Sequence, residues 1–315
     1  MKIYLKQKKL NFELKYKILV TGGTGFIGRN FIKLILRKKI FEIYSLSVKK
    51  IKDDYREKKV NYIFCKLENK SLLKKKLDFE FDYVVNFAGY IDHSDSKKTF
   101  NSHYHGLKNL IDILGNKKIK KFIQIGSSVE YGFNNSPQKE TLVNSVTKLR
   151  SIYGKAKLKS TNLLLKEYKK KKFPCIILRP YLVFGPGQND LRLIPYIIKK
   201  CLQNESFACS DGEQIRNFIY IKDFVSIVYK SLFLKISGII INVGSNKNYT
   251  VKFIINRIKQ IIGKGLPIYG KIKMRKDEPL KLYPNLTKFK KFINLRNEIK
   301  INSGLKSTIK YYKKT

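Results

Sequence analysis

The sequence predicts an α/β fold with a doubly wound parallel sheet and a smaller C-terminal lobe. Short apolar segments alternate with amphipathic segments up to residue 180, as strands and helices alternate around a parallel sheet. The turn TGGTGFIG at 21–28 follows the first apolar segment and precedes the first amphipathic one. The 315 residues, of which 43% are hydrophobic, suffice for one large domain with an attached lobe.

Six strands are predicted in the first part of the chain, each as a short apolar run. They lie at 17–21, 41–48, 61–67, 82–89, 121–128 and 175–180. Helices are predicted at 26–38, 100–114 and 150–171, where apolar residues recur at helical spacing. Parallel strands joined by helices bring their carboxyl ends to one edge of the sheet, where α/β proteins bind their ligands.

The alternation of strands and helices weakens after residue 185. Helices are predicted at 189–203 and 249–262, a strand running into a helix at 216–232, and one more strand at 238–245. The basic tail from Leu266 has a mixed pattern. We therefore expect this part to complete a site on the main domain, and not to fold as an independent domain.

The composition is strongly basic, with 67 Lys and Arg against 23 Asp and Glu and a net charge of +44. Only ten of the basic residues are Arg, and the lysines are spread along the chain. Nucleic-acid sites favour the forked guanidinium of Arg. We therefore attribute the charge to overall composition and expect no nucleic-acid partner. A basic face that binds nucleic acid or an anionic substrate is the alternative.

The cellular setting is predicted from three absences in the sequence. No run of about 18 apolar residues occurs, so no membrane span is expected. The N-terminus has neither an apolar segment nor a small-residue cleavage site, so no secretory signal is expected. The four cysteines lack metal-ligand or redox spacing, which predicts a reduced, cytoplasmic setting without a metal site.

The glycine-rich turn predicts a dinucleotide site. Gly22, Gly25 and Gly28 allow the backbone to turn tightly and to approach a pyrophosphate. The helix that begins at Phe26 and Ile27 offers free N–H groups and a positive dipole to that anion. We expect the strand ends that share this edge to contribute further cofactor contacts, from Ala88 and Pro180.

The end of the second strand favours NADP over NAD. An acidic side chain at this place accepts hydrogen bonds from the ribose 2′-hydroxyl of NAD. Here the strand ends in SLSVKK, with Ser47 and Lys49 and without an acid. These side chains suit a 2′-phosphate, while NAD remains the alternative because lysine is abundant throughout the chain.

A serine, a tyrosine and a lysine predict the catalytic centre. Tyr153 and Lys157 are four residues apart and share one helix face. Ser127 lies at the end of the fifth strand, on the ligand edge. We expect the lysine ammonium and the positive charge of the cofactor together to lower the tyrosine pKa from its usual value of about 10. Tyr153 would then transfer a proton to or from a substrate oxygen that Ser127 binds, and Lys157 would also bind the nicotinamide ribose.

Together these motifs resemble the extended short-chain dehydrogenase/reductase family, over residues 17–313. RPYLVFGPGQ, DGEQIRNFIYIKD and NVGSNKNYTV resemble later motifs of its nucleotide-sugar epimerase, dehydratase and reductase branch. The resemblance implies a Rossmann-type domain, a nucleoside-diphosphate sugar as substrate and a homodimer. It implies that Arg216 binds the diphosphate with Gln214 and Arg192 nearby, and that Leu67 lies beside the adenine, although Lys66 stands where relatives often have Asp.

The loop GYIDHSDS at 89–96 follows the fourth strand, so His93 and Asp92 are candidates for contact with the sugar. A solvated loop without a substrate contact is the alternative.

The departures from the family pattern narrow the expected reaction. The 4,6-dehydratases carry Thr-Asp-Glu where this chain has Ser127-Ser128-Val129, so dehydration is not expected. His103 stands where relatives often have Asn, and either joins a proton relay or bonds the local backbone. The pattern is most similar to nucleoside-diphosphate 4-keto-6-deoxysugar reductases such as CDP-abequose synthase.

We therefore predict NADPH-dependent reduction of the 4-keto group of a nucleoside-diphosphate 6-deoxyhexose, for the sugars of surface polysaccharide. An NAD-dependent 4-epimerase is the alternative, and a nucleic-acid-binding relic of the family is a remote one. The expected organisation is a basic N-terminal extension at 1–16, an NAD(P)-binding Rossmann domain at 17–185 and a substrate-binding lobe at 186–315 mixed with late strands of the sheet.

The substitution Tyr153→Phe tests the catalytic assignment. It removes the proton-transferring hydroxyl and keeps the ring, so turnover should fall by roughly 100-fold or more. Dinucleotide binding should largely survive, and a fluorescence titration with NADPH measures it. Full activity in this variant would overturn the assignment.

Overall fold

The computed structural model describes most of the chain. The described residues are 15–50, 56–90, 92, 95–115, 117–141, 146, 149–274, 278–295 and 297–314. Within them the strands are β1 (Tyr16–Thr21), β2 (Phe41–Ser47), β3 (Val60–Phe64), β4 (Tyr83–Asn86), β5 (Lys121–Ile125), β6 (Cys175–Pro180), β7 (Leu182–Phe184), β8 (Ser206–Ala208), β9 (Ile215–Tyr220), β10 (Ile239–Val243), β11 (Asn248–Thr250), β12 (Leu266–Ile268) and β13 (Lys281–Leu282). Nearly all of the predicted basic extension lies outside them.

The α-helices of the described residues cover the sheets. They are α1 (Phe26–Leu36), α2 (Lys70–Lys76), α3 (Ser96–Phe100), α4 (Gly106–Leu114), α5 (Ile152–Lys171), α6 (Leu193–Leu202), α7 (Ile221–Ser231), α8 (Val251–Ile262), α9 (Thr287–Phe292) and α10 (Ile301–Tyr312). A π-helical turn, Asn101–His105, joins α3 to α4, and a 3₁₀ turn, Ser128–Tyr131, follows β5. In the described part of the chain, no helix is long and apolar enough to span a membrane.

Seven parallel strands form the main sheet, in the order β10–β6–β5–β4–β1–β2–β3. Ile18 and Val20 of β1 join the apolar core that contains α1 and α7, while Leu19 joins the core that contains α4. Alternate residues of one strand are therefore buried on opposite faces, which explains why the strands are continuous apolar runs. The predicted doubly wound parallel sheet is confirmed.

The carboxyl edge of the sheet is organised around β1. This strand lies between β2 and β4, so the loops that follow it diverge and leave a crevice. Below the crevice, buried polar side chains bond across three strands. The Thr21 hydroxyl donates to Asn86 Oδ1, and Asn86 Nδ2 donates to Gln124 Oε1 at 2.8 Å. These bonds fix the positions of the carboxyl ends of β1, β4 and β5 relative to one another.

The smaller lobe is built on β9, which pairs with β7, β11 and β13. A second pair, β8 with β12, and the helices α6, α8 and α10 complete it. The chain then returns to the main sheet, because β10 pairs with β6 and α7 packs against α1. The part after residue 185 is therefore shared between the lobe and the main sheet.

Several local features differ from the sequence-based expectations, among them three of the helices. The helix α2, which the pattern did not predict, is capped at its start by Asn69, whose side chain accepts a hydrogen bond from Leu72 N–H at 3.0 Å. The helix expected at 100–114 begins at Ser96 and contains the π-helical turn. The helix expected at 249–262 begins at Val251, because Tyr249 belongs to β11.

The substitution Asn217→Ala tests how the lobe is held together. Asn217 is buried in β9, and its amide binds both the N–H and the carbonyl of Ser245 at 2.8 Å. Its loss leaves buried backbone groups without partners, so the free energy of unfolding should fall by about 2 kcal/mol. Urea denaturation measures the change. The control Asn246→Ala removes an exposed amide of the same loop and should cost less than about 0.5 kcal/mol. Equal losses would contradict the assignment.

Candidate active site

The glycine turn lies at the carboxyl end of β1 and is shaped by close backbone contacts. Gly22 has a φ of +68°, in the left-handed region that favours glycine. A Cβ on Gly28 would lie 2.3 Å from the Gly22 carbonyl oxygen, so no larger residue fits there. Gly25 is the N-cap of α1 and provides no side-chain cap. The first N–H groups of α1 are therefore presented to the crevice, as an anion requires.

The other predicted cofactor residues follow neighbouring strands at the same edge. Ser47 ends β2, and its hydroxyl accepts a hydrogen bond from Thr24 N–H at 3.1 Å, which ties β2 to the glycine turn. Lys49 is exposed beyond it. The remaining positions are Leu67 after β3, Ala88 after β4 and Pro180 at the end of β6. Phe26 and Ile27 form the first turn of α1. The structure therefore brings the predicted cofactor residues to one edge.

Ser127 and Tyr153 are hydrogen-bonded to each other through their side chains. Ser127 caps the 3₁₀ turn after β5, where its hydroxyl also accepts a hydrogen bond from Val129 N–H at 3.4 Å. Tyr153 lies in the first turn of α5. The predicted pairing of a strand-end hydroxyl with a helix tyrosine is thus present, and a substrate oxygen between them could contact both.

Lys157 lies one turn further along α5, with its side chain buried. Its Nζ donates to the Ile125 carbonyl oxygen at 2.7 Å and lies 5.7 Å from the centroid of the Tyr153 ring. Burial lowers the pKa of Lys157 to about 8, while the charge of Glu130 acts in the opposite direction. The ammonium is therefore charged at neutral pH and loses its proton a few pH units earlier than an ordinary lysine.

The residues of the chain alone raise the pKa of Tyr153, whereas the sequence predicts a lowered pKa when the positive charge of the cofactor is included. Burial is the largest cause, and the charge of Glu130 adds to it. The hydrogen bond from Ser127 and the charge of Arg192 act in the opposite direction. From the residues of the chain, Tyr153 is therefore a neutral phenol at pH 7. The Tyr-x-x-x-Lys spacing does not reveal the burial that decides this direction.

The predicted substrate residues occupy two places. Arg192 is exposed at the start of α6, close enough to Tyr153 for its charge to lower the tyrosine pKa. Gln214 and Arg216 are buried near β9. The Arg216 guanidinium forms a 2.5 Å ion pair with Glu278 and donates to the Leu280 carbonyl at 3.1 Å. His93 lies outside the described residues, so its predicted contact with the sugar stays a prediction.

The chain matches a known protein family over most of its length. Residues 18–244 match the model of the NAD dependent epimerase/dehydratase family. The chain belongs to this family. As an epimerase/dehydratase family member it is an enzyme of the extended short-chain dehydrogenase/reductase type, which confirms the broader resemblance found in the sequence.

The relatives of this chain include enzymes whose names specify nucleotide sugars as substrates. The dTDP-D-glucose 4,6-dehydratase of Dictyostelium discoideum is 30% identical over 236 residues, which cover 67% of this chain and 54% of that protein. The chain thus spans about half the length of that relative. The fold matches UDP-glucose 4-epimerase of Thermotoga maritima, solved with UDP-glucose, with a TM-score of 0.87 and 22% identity over 95% of this chain and 99% of that one.

A second solved structure shares the fold and contains a dinucleotide. UDP-glucuronic acid 4-epimerase of Bacillus cereus, in complex with UDP-glucuronic acid and NAD, matches with a TM-score of 0.85 and 24% identity. The match covers 95% of this chain and 99% of that one. The crevice above β1 in this family member, with its glycine turn and uncapped α1 N-terminus, fits a dinucleotide of this kind.

Two residues of the epimerase/dehydratase site have roles that the sequence left open or missed. His103 Nε2 lies 3.2 Å from the Tyr90 carbonyl oxygen, which is the local backbone bond considered for it. Its ring also packs edge-to-face on Tyr153, with centroids 5.0 Å apart. Glu130 was not selected from the sequence, although Ser127 and Glu130 have the spacing of a capping box, which could have revealed it.

The pair of substitutions Gly28→Ala and Gly25→Ala tests the dinucleotide site. The first places a Cβ 2.3 Å from the Gly22 carbonyl and must distort the turn, so affinity for the dinucleotide should fall about tenfold or more. In the second, the nearest atom lies at 3.2 Å and φ is −76°, so the loss should be smaller. Fluorescence titration measures both affinities. Equal affinity of Gly28→Ala and the unmodified protein would contradict the site.

Proposed function

We propose that the protein is an NADPH-dependent reductase of the 4-keto group of a nucleoside-diphosphate 6-deoxyhexose. The observation that carries this proposal is the hydrogen-bonded pair of Ser127 and Tyr153, with the Lys157 ammonium beside the tyrosine ring. Such a pair can bind a sugar carbonyl oxygen and protonate it. The product would be a deoxysugar donor, as expected for surface polysaccharide.

The protonation state of Tyr153 suits its role as the proton donor of a reduction. NADPH, when bound, supplies the hydride that adds to C4. Reduction then requires a proton donor at the C4 oxygen, and a phenol whose pKa is raised by burial remains protonated at pH 7. Ser127 orients the same oxygen through its hydroxyl. Lys157, charged below about pH 8, stabilises the phenolate that forms when Tyr153 gives up its proton.

Dehydration is not supported, although a 4,6-dehydratase is among the relatives. Elimination of water needs an acid and a base at the sugar, and Ser128 and Val129 provide neither. The acid next in the chain, Glu130, is buried and forms an ion pair with Arg179 at 2.7 Å. Its carboxylate is therefore committed to the interior of the protein.

NADP is the proposed cofactor because of the residues after β2. The strand ends at Ser47, and Lys49 is exposed beyond it, with no acidic side chain at 45–50. An ammonium at this place attracts a 2′-phosphate, and a carboxylate that would select the 2′-hydroxyl of NAD is missing. NAD is the alternative, since it is the dinucleotide found in the Bacillus cereus structure.

Arg192, Gln214 and Arg216 are the proposed contacts for the sugar diphosphate. Arg192 is exposed beside Tyr153, where its charge can bind an anion without further desolvation. Arg216 can form the bidentate pairs that suit phosphate, but its pairing with Glu278 means that a diphosphate would compete with that carboxylate.

The second candidate function is that of an NAD-dependent nucleotide-sugar 4-epimerase. The fold similarity to the Thermotoga maritima UDP-glucose 4-epimerase covers nearly the whole chain, and the same Ser, Tyr and Lys would serve an epimerase. Epimerisation begins when Tyr153 removes a proton, so it requires the phenolate. It ends when the same residue returns a proton to the oxygen, so Ser127, Tyr153 and Lys157 serve an epimerase and a reductase equally well.

A cofactor-consumption assay separates the two functions. The purified protein is incubated with NADPH and a panel of nucleoside-diphosphate 4-keto-6-deoxyhexoses, and the absorbance of NADPH is followed. The reductase should consume one NADPH for each sugar reduced and should prefer NADPH to NADH. The control is the same panel with Tyr153→Phe. Tightly bound NAD after purification, together with sugar interconversion without net NADPH use, would overturn the reductase in favour of the epimerase.

A further inference from the structure

Glu130 is a buried carboxylate whose two oxygens are both hydrogen-bonded. Oε1 accepts from the Ser127 backbone N–H at 2.8 Å. Oε2 accepts from the Thr161 hydroxyl at 2.7 Å and from Arg179, through Nε at 2.9 Å and Nη2 at 2.7 Å. A Cβ on Gly126 would lie 2.6 Å from Oε1, so the carboxylate fills the space that this glycine leaves open.

These contacts join the two elements that carry Ser127, Tyr153 and Lys157, which are the turn after β5 and the helix α5, to the neighbouring strand β6. Ser127 heads the turn after β5. Thr161 lies on α5 four residues after Lys157 and eight after Tyr153, on the same helix face. Arg179 precedes Pro180 in β6. A displacement of the carboxylate would therefore change the distance between Ser127 and Tyr153.

Glu130 also supplies negative charge to the catalytic pair. Its charge raises the pKa of Lys157 against the effect of burial, and it raises the pKa of Tyr153 in addition to burial. The charged or titratable groups that pack around this pair come from several elements. They are Glu130 on the 3₁₀ turn, Arg179 on β6, His103 on the π-helical turn and Arg192 at α6.

We propose that Glu130 is a positioning residue that sets the distance between Ser127 and Tyr153, by joining the turn after β5 to α5 and β6, and that places a negative charge near Lys157. It acts through these residues and does not touch the substrate. This inference rests on the proposed function, since it assumes that Ser127, Tyr153 and Lys157 carry out the proton transfer.

The experiment compares pH profiles of kcat for the unmodified enzyme, Glu130→Gln and Glu130→Asp. Both Lys157 and Tyr153 must be protonated for reduction. The Glu130 charge raises the pKa of each, so its removal lowers both pKa values. The alkaline limb of Glu130→Gln should therefore move to lower pH by roughly one unit. kcat should fall roughly 10- to 100-fold, since misplacement by about 1 Å costs on the order of 100-fold. KM for the nucleotide sugar should change little.

Glu130→Asp keeps the charge on a shorter side chain. The alkaline limb of its pH profile should lie at the same pH as that of the unmodified enzyme. Its kcat should lie between those of Glu130→Gln and the unmodified enzyme. The matched control is Glu140→Gln, which removes a carboxylate that binds a backbone N–H, that of Asn242 at 2.9 Å. This control should keep both the kcat and the alkaline limb of the unmodified enzyme.

A double variant separates positioning from folding, because Glu130→Gln alone leaves Arg179 buried without its counter-ion. In Glu130→Gln/Arg179→Met both buried charges are removed, so the protein should fold. It should still show the reduced kcat and the shifted limb. The inference would be overturned if the double variant had the same kcat and the same alkaline limb of the pH profile as the unmodified enzyme. It would also be overturned if Glu130→Gln lost kcat while its alkaline limb stayed at the same pH.

A separate readout keeps the inference testable if the proposed function fails. Absence of turnover by the unmodified protein would refute the reductase and epimerase assignments. The pH dependence of Lys157 labelling by acetic anhydride, followed by peptide mass spectrometry, still reports the protonation of this lysine. A lower midpoint in Glu130→Gln than in the unmodified protein supports the inference, and an equal midpoint overturns it.

Discussion

The parallel pairing of the main strands is the constraint on which the rest of the molecule depends. Because the seven strands run in one direction, the residues that follow them collect at a single edge without any need for proximity in sequence. The glycine turn after β1, Ser127 after β5 and Pro180 at the end of β6 are separated by many residues in the chain. The pairing of β4 with β1 and β5 brings them to one crevice. The chemistry of the site follows from this geometry.

Burial decides the electrostatics of that crevice. It disfavours the charged forms of both Tyr153 and Lys157, so the tyrosine is held as a phenol and the lysine titrates near pH 8. Individual neighbours modify this effect, among them Arg192 from the solvent side and Glu130 from the interior. The site therefore places a proton donor, the Tyr153 phenol, next to the Lys157 ammonium, which can lose its proton near pH 8. This combination suits the protonation of a carbonyl oxygen that receives a hydride.

Much of the fold and part of the site could be predicted from the sequence, and the differences have physical causes. Apolar runs predicted β6 at its observed residues, and helical spacing predicted α5 to within two residues. The helix α2 escaped prediction because its lysines obscure the apolar stripe, although Asn69 marks its start. The Ser127, Tyr153 and Lys157 contacts followed from spacing and strand position.

Other features depend on contacts between distant residues, which spacing does not contain. Arg216 pairs with Glu278, 62 positions away, and no local pattern indicates that partner. The direction of the Tyr153 pKa shift depends on how tightly the surrounding elements pack. In the sequence, Glu130 cannot be distinguished from an exposed acidic residue of a turn. Its burial follows from the contact with Arg179, which is 49 positions away.

The close approach of Gly126 to Glu130 has an evolutionary consequence. Because any side chain at 126 would overlap the carboxylate at 130, the two positions are not free to vary independently. A Cβ on Gly126 would also lie 3.1 Å from Arg179 Cγ and 3.2 Å from Ile177 Cγ2, so the packing of β6 demands a glycine at 126 as well. A substitution of Glu130 alone would therefore not make room for a larger residue at 126.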